Sequence, residues 1–390
     1  MSETTAYVVA ARRAANGRIG GLHRSRRIED LAAPIVEAAL KDACIEAVDV
    51  DEIIIGNASA GGNPARLIAL AAGLPGEVPA YSLDRQCASG LDAILSAIRQ
   101  IQAGEADVVV AGGAESLSTA PWRVAKPRNL YQLPRFLDFN PGQTSGDSEP
   151  QRIAASQALA DRRNIDRDRQ DAYALRSHER AERARREKRF VGELVAIRIA
   201  PEEARDESLA APASRAELGD LPPYMTPGGT VTPGNASLMH DGAAIAVVVS
   251  ERVYGELGRP AALKLVASVA TGVGAEQQGL ASLAAMQKLY GRLNGFDRSA
   301  ITVIEAGESS AAEIIALEDE LGLGDGIVNP DGGAIAIGHP FGATGAMLVT
   351  RLFSDMVRHP KAKPPTYGVV TIGAIGGVGR AALFERVEGA

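Results

Sequence analysis

Short apolar, β-branched runs alternate along the chain with alanine-rich stretches whose apolar residues recur at helical spacing. Val48–Ile55 (VDVDEIII) predicts a buried strand running into Gly56 and Asn57. Leu91–Ala103 (LDAILSAIRQIQA) predicts a helix that stops at Gly104, a residue suited to a left-handed C-cap. Asp107–Ala111 (DVVVA) is the next expected strand, closed by Gly112 and Gly113. Strand, helix, strand in that order predicts a mostly parallel sheet covered by helices. The last third repeats the layout, with strands at Ile301–Glu305 and Tyr367–Ile372 and helices at Ala311–Leu321 and Gly342–Met356. A second glycine cluster follows, from Gly373 to Gly379. The shared layout predicts an internal duplication, two similar α/β halves packed together.

Composition narrows the class. A chain of 390 residues with 46% hydrophobic content can build two cores, and a net charge of −7 supplies no basic field for nucleic acid or a membrane surface. No apolar run approaches the ~20 residues of a membrane helix, and the N-terminus has no long apolar leader. Two cysteines make no disulfide framework, so a cytoplasmic protein is expected. Glycine is abundant, at 42 residues, and aromatics are scarce, at 4%. That balance favours tight turns and close backbone approach over bulky packing.

The segment between the halves is proline-rich and polar. Arg162–Arg189 carries 11 Lys or Arg against six Asp or Glu in a helical pattern. It reads either as a solvated helix laced with i,i+4 ion pairs or as an electropositive lid over a phosphorylated ligand such as coenzyme A.

Two residues stand out for chemistry. Cys87, in Asp84–Leu91 (DRQCASGL), directly precedes the Leu91 helix, where the helix dipole and free N–H groups favour thiolate. Cys44, between a helix and a strand, reads instead as a buried, inert cysteine. His339 lies in the glycine-rich stretch Asn329–Gly345 (NPDGGAIAIGHPFGATG), a poor place for packing and a good one for a base or oxyanion donor. A Cys and a His remote in sequence can form a nucleophile–base pair. The five histidines and two cysteines show no metal-ligand spacing, and no GxGxxG or Walker loop is present, so neither a metal nor a nucleotide cofactor is expected.

At these residues the chain resembles the thiolases, the acetyl-CoA acetyltransferase and 3-ketoacyl-CoA thiolase family. Gly56-Asn57 with Gly62–Arg66 (GNPAR), Cys87–Leu91 (CASGL), Ala111–Ser116 (AGGAES), Gly229–Ser237 (GTVTPGNAS), Asp241–Ala244 (DGAA) and Asn329–Gly345 follow the family's motifs in order. The resemblance implies an α/β fold of two βαβαβαββ halves in five layers with an inserted loop domain. The expected division is 1–117 and 236–260 for the first half, 118–235 for the loop domain over coenzyme A, and 261–390 for the second half. It also implies an acyl-CoA partner, a homodimer or homotetramer, acylation of Cys87 and activation by His339. Ser237, Met225 and Ser310 would face coenzyme A or substrate, and the backbone N–H groups of Cys87 and Ile375 would form an oxyanion site.

Departures from the family pattern fall on the chemistry. The second catalytic cysteine of the family falls on Gly373, and the Asn that holds an oxyanion-hole water falls on Gly307. The Met-Gly of the loop-domain pattern falls on Arg152-Ile153, and Leu238 stands where a glycine often follows the CoA-contacting serine. Acyl transfer to a first cysteine keeps its parts, whereas proton exchange at a carbon alpha to a thioester loses its base. The leading expectation is therefore an acyltransferase that passes its acyl group to an acceptor needing less carbon-acid activation. The alternatives are an ordinary thiolase with a relocated base (Glu308, His240 or a water) and a catalytically silent acyl-CoA-binding subunit.

Overall fold

A computed structural model describes residues 4–127, 129, 131–137, 148–200, 204–210, 214–225, 228–359 and 364–389. In the first part of the chain, strand β1 (Ala6–Ala14) and the short β2 (Gly17–Arg18) lead to helix α1 (Ile28–Ala43). Then come β3 (Glu52–Gly56), α2 (Pro64–Ala71), β4 (Ala80–Leu83), α3 (Ser89–Ala103) and β5 (Val108–Glu115). The inserted segment carries β6 (Arg123–Ala125), β7 (Arg135–Leu137), α4 (Ser148–Arg163), α5 (Arg167–Arg186), β8 (Leu194–Val195) and α6 (Arg215–Asp220). Strand β9 (His240–Ser250) and helix α7 (Glu251–Glu256) complete the first half. The second half runs β10 (Ala262–Gly272), α8 (Ala281–Arg292), β11 (Ile301–Ala306), α9 (Ala311–Leu321) and α10 (Ala334–Ile337). It ends with α11 (Thr344–Phe353), β12 (Tyr367–Ala374) and β13 (Val378–Val387).

The strand order is β11-β12-β13-β10-β1-β9-β5-β3-β4. Read outward from the centre, β1-β9-β5-β3 on one side mirrors β10-β13-β12-β11 on the other. Across the junction of the two sheets, β1 and β10 pair antiparallel, Tyr7 with Lys264 and Val8 with Leu263. Within each half the outer strands pair in parallel and the inner ones antiparallel, so the expected mostly parallel sheet is corrected to a mixed one. The reason lies in the hairpin at Ala374–Val378 and the long return from the inserted segment into β9, both of which reverse the chain.

Three apolar clusters stack the layers. One core packs α1 and α2 on the first sheet, and another packs α8 and α9 on the second. The central core holds α3 and α11 between the two, with Leu91, Ile94, Ile98, Met347 and Leu352 buried there. Leu91–Ala103 is helical as expected, and Gly104 caps it at φ 77°. The strand expected from Val48 starts at Glu52, because Ala47–Asp49 forms a 3₁₀ turn and the Asp51 carboxylate is drawn to the N–H groups of Asp107 and Val108. The expected Gly342–Met356 helix is broken at both ends: a 3₁₀ turn precedes Thr344 and a π turn follows Phe353.

Cys44 is exposed, not buried as the sequence suggested. It caps α1 in the left-handed conformation (φ 54°), which turns its side chain off the helix while its N–H bonds to the last turn.

The basic segment has the local ion pairs of its first reading, together with longer-range ones. Local pairs exist, such as Arg167 with Asp171 and Arg185 with Glu182. Most of its arginines instead reach the second half: Arg163 to Glu320, Arg169 to Asp319, Arg176 to Glu318, and the buried Arg180 to Asp325 and the Val328 carbonyl. Arg189 pairs with Asp331 and Asp355. These cations fasten the inserted segment to acidic side chains of the second half.

Candidate active site

Close backbone approach builds the site. A Cβ on Gly56 would lie 2.3 Å from the Ser89 backbone, and one on Gly113 would lie 2.4 Å from the Gly342 carbonyl. Only glycine lets the start of α3 and the loop after His339 converge on the strand ends of the first half. Glu115, buried at the end of β5, completes the joint. Its carboxylate accepts from Asn57 Nδ2 and from the N–H groups of Ala58, Ser59 and Gly342. The motif residues around Asn57, Glu115 and Gly342 thus serve one purpose, which is to lock the second-half loop onto the first half.

The turn before α3 is tight. Gln86 sits at φ 53°, its N–H bonded to Asp84 Oδ1, and Ser89 Oγ ties Arg85 N–H to the Gln86 carbonyl. This places the Cys87 Sγ 3.3 Å from His339 Nε2, although the two residues lie 252 positions apart. Thr344 Oγ1 is 2.9 Å from His339 Nδ1 and fixes the ring from its other side. The Ile375 N–H also faces the sulfur.

Burial dominates the electrostatics. It pushes the Cys87 thiol up to about 12, against the nearby Arg152 guanidinium and the Ile375 N–H, which both favour thiolate. The thiolate-favouring environment expected from the helix terminus is therefore corrected. Cys87 is only 2% exposed, and desolvation outweighs the Arg152 charge and the backbone N–H groups. The same burial, reinforced by Arg152 and then His240, pushes His339 down to about 3. At neutral pH the resting pair is a neutral thiol beside a neutral imidazole. It is set up to exchange a proton as a substrate arrives.

Ser237 and Ser310 are buried next to this cluster. The Ser309 carbonyl accepts from Ser237 N–H and from Arg152 Nη1, and the Ser237 carbonyl accepts from Arg152 Nη2. Ser310 caps α9 through Glu313 N–H. Met225 is 45% exposed, on a turn closed by Gly229 N–H to its carbonyl.

Both side chains considered as a relocated base are buried and hydrogen-bonded. Glu308 accepts from Tyr173 Oη, Ser177 Oγ, Asn329 Nδ2 and Ile335 N–H. His240 is buried with Nδ1 on the Leu238 carbonyl and Nε2 on Ser208 Oγ.

The two glycines that replace family side chains differ sharply. At Gly373 an added Cβ would meet nothing nearer than Ser282 N at 3.5 Å and the Ala281 Cβ at 3.6 Å. At Gly307 it would meet Ile372 Cγ1 at 2.6 Å. Ile372, an ordinary apolar strand residue in the sequence, fills the space beside Gly307. Gly307→Ala is therefore expected to destabilise the fold by about 1–3 kcal/mol through overpacking, with Gly373→Ala nearly neutral, as read by urea denaturation. Arg152 and Glu313 were also missed as a pair. The only sequence signal was that Arg152 falls where the family pattern has Met.

Among the described residues no group of three or more His, Cys, Asp or Glu could hold a metal ion, and no helix is long and apolar enough to cross a membrane. Comparison with known proteins finds the thiolase N-terminal domain over residues 6–252 and the thiolase C-terminal domain over 260–386. The putative acetyl-CoA C-acetyltransferase VraB of Staphylococcus epidermidis is 35% identical over 386 residues, covering 98% of each chain. The protein of that name from Staphylococcus haemolyticus is 38% identical over 388 residues, again covering 98% of each. The crystal structure of the Bacillus anthracis acetyl-CoA acetyltransferase superposes with a TM-score of 0.90 at 31% identity, covering 99% of this chain and all of that one.

Proposed function

Since this chain belongs to the thiolase family, has its fold and is an acyltransferase, we propose that it loads Cys87 from an acyl-CoA and passes the acyl group to an acceptor, with the carbon–carbon bond step impaired or altered. One observation carries the reading. The Cys87–His339 pair is assembled at 3.3 Å, while the positions of the second cysteine and the oxyanion Asn are the glycines 373 and 307.

The first half-reaction follows from that geometry. His339 Nε2 takes the thiol proton as Cys87 Sγ attacks the thioester carbonyl, with Thr344 holding the ring. The N–H groups of Cys87 and Ile375 offer donors where the oxyanion develops. Coenzyme A leaves as a thiolate and recovers the proton from the imidazolium. Without a cysteine at 373, the acceptor is an amine, an alcohol, a thiol or an already acidic carbon. Residues 118–235 form the loop domain over coenzyme A in this reading, with Ser237, Met225 and Ser310 facing the ligand. A homodimer or homotetramer draws support from β4, which among the described residues is an edge strand paired with β3.

A second reading, an ordinary acetyl-CoA acetyltransferase, is favoured by the names of the relatives. The two separate on acetoacetyl-CoA thiolysis, which the first reading expects to be far below ordinary thiolase rates. Brief incubation with acetyl-, butyryl- and octanoyl-CoA is expected to add one acyl mass to the protein, absent in Cys87→Ser. An unmodified mass with all three would overturn both readings and leave a silent acyl-CoA-binding subunit.

A further inference from the structure

The nucleophile is placed by the start of α3, but the base lies on an irregular stretch between α10 and the turn before α11, where no helix carries it. Its main chain is held instead by the residues leading into β9. Met239 and His339 form an isolated parallel bridge. The His339 carbonyl accepts from His240 N–H at 3.1 Å, and His339 N–H donates to the Leu238 carbonyl at 3.3 Å. The His240 side chain closes this joint. Its Nδ1 bonds the same Leu238 carbonyl at 2.8 Å. The ring also covers Gly338, the residue before the base, where an added Cβ would lie 2.7 Å from His240 Cγ and Cδ2. Gly338 stands at φ 97°, so only glycine brings the main chain this close to the imidazole.

On its far edge the ring meets the inserted segment. Ser208 Oγ, on the short turn Glu207–Ala210, is 2.6 Å from His240 Nε2. That turn is pinned to the first half. Asp206 accepts from Arg13 and from Asn16 N–H, and the Glu207 carboxylate accepts from the N–H groups of Arg18 and Leu22. The two contacts of the ring determine its tautomer. A carbonyl can only accept, so Nδ1 carries the proton and Nε2 takes the hydrogen of the Ser208 hydroxyl. The His339 N–H, 3.4 Å from Nδ1, is therefore left to the Leu238 carbonyl.

We propose that His240 is a positioning residue for His339, with Ser208 of the inserted segment holding its tautomer; this rests on the acyl-enzyme reading above. The Nδ1–H fixes the carbonyl that receives the base, and the ring leaves Gly338 no room to swing toward β9. His339 Nε2 is thereby kept 3.3 Å from Cys87 Sγ, while Thr344 Oγ1 holds the other side of its ring. A displacement of the base by ~1 Å costs on the order of 10²-fold in rate. No proton leaves His240 in this role, in keeping with the engagement of both its nitrogens. The inserted segment thus reaches the base through one hydroxyl and one imidazole.

The test uses the full-length protein with acetyl-CoA as donor. Rapid quench and intact mass give the maximal acetylation rate of Cys87 and the acetyl-CoA concentration for half that rate. His240→Ala is expected to lower the maximal rate by ~10²-fold and to leave the half-saturating concentration within about threefold. His240→Asn, whose amide N–H replaces Nδ1–H, should stay within about tenfold of wild type. His240→Gln, which reaches Ser208 but not the Leu238 carbonyl, should match His240→Ala. If His240→Ala fails to fold, the Asn and Gln variants carry the comparison. The loss should also vanish once the base is gone: in a His339→Ala background, adding His240→Ala or His240→Gln should change the rate by less than about threefold. A rate within about threefold of wild type for both His240→Ala and His240→Gln would overturn the proposal. Equal losses in both backgrounds would overturn it as well, since a merely structural residue acts whether or not the base is present. Failure of the wild type to acetylate would instead remove the acyl-enzyme reading, and the positioning role with it.

Discussion

Replacing His339 with Ala is expected to slow acylation of Cys87 by acetyl-CoA by ~10²–10⁴-fold while leaving its alkylation by iodoacetamide within a few-fold of wild type. The two reagents ask different things of the same sulfur. Iodoacetamide reports how much thiolate exists at rest, and burial makes that little, with the thiol pushed up to about 12. Acetyl-CoA instead draws the proton to His339 Nε2, 3.3 Å away, during attack. Cys44 supplies the internal control, because it is exposed. At pH 8 alkylation should show a fast phase from Cys44 and a slow one from Cys87. The Cys87 phase is slowed by ~10²-fold or more, because a buried thiol pushed up to about 12 holds little thiolate at pH 8. The slow phase should gain close to tenfold per pH unit between 7 and 10. The sign follows from a thiol that is protonated across that window. A Cys87 phase as fast as Cys44, already level at pH 8, would show a resting thiolate and refute the neutral pair.

Arg351→Met should lower thermal stability more than removal of any exposed cation. The Arg351 side chain is 1% exposed and pairs with Glu193, which comes from the inserted segment, and with Asp331 at 2.7 Å. Glu193 also holds Arg13, which in turn binds Asp206. This buried network joins the first strand, the inserted segment and the second half. Taking away its central cation leaves Glu193, Asp331 and Asp355 with only Arg13 and Arg189 to offset them in a low-dielectric interior, which costs about 3–5 kcal/mol. For a chain of this size that is a fall of roughly 5 °C in thermal midpoint. Arg169→Met, which removes an exposed pair with Asp319, should shift the midpoint by ~1 °C or less. Equal shifts in both variants would show the network to be dispensable.

The sequence made some of this site legible and hid the rest for physical reasons. Cys87 and His339 could be found because each sits in a local pattern, a helix start and a glycine-rich loop, that makes little sense as packing. The duplicated layout could be found because glycine turns and apolar strands are local signals. Arg152, Glu313 and Ile372 could not be read in this way. Each lies in an ordinary helix or strand pattern, and its meaning comes only from contacts across the fold: Arg152 with the Ser309 carbonyl, Glu313 with Ser156, and Ile372 beside Gly307. Cys44 was misread because neighbouring apolar residues do not reveal a left-handed cap. The longer-range partners of the basic helix could not be read because they lie ~150 positions away in the chain, beyond any i,i+4 pattern.

The 252-residue separation of Cys87 and His339 also bears on how the protein reaches its working state. Their encounter closes a loop through the whole inserted segment, a long-range contact of the kind that slows folding. Catalytic competence should therefore be among the last properties regained on refolding, after helical signal and after burial of Leu91 and its neighbours. A clip between the halves that leaves α3 or α11 free to drift would separate nucleophile from base before it melted either core. Activity in this chain is a sensor of complete assembly.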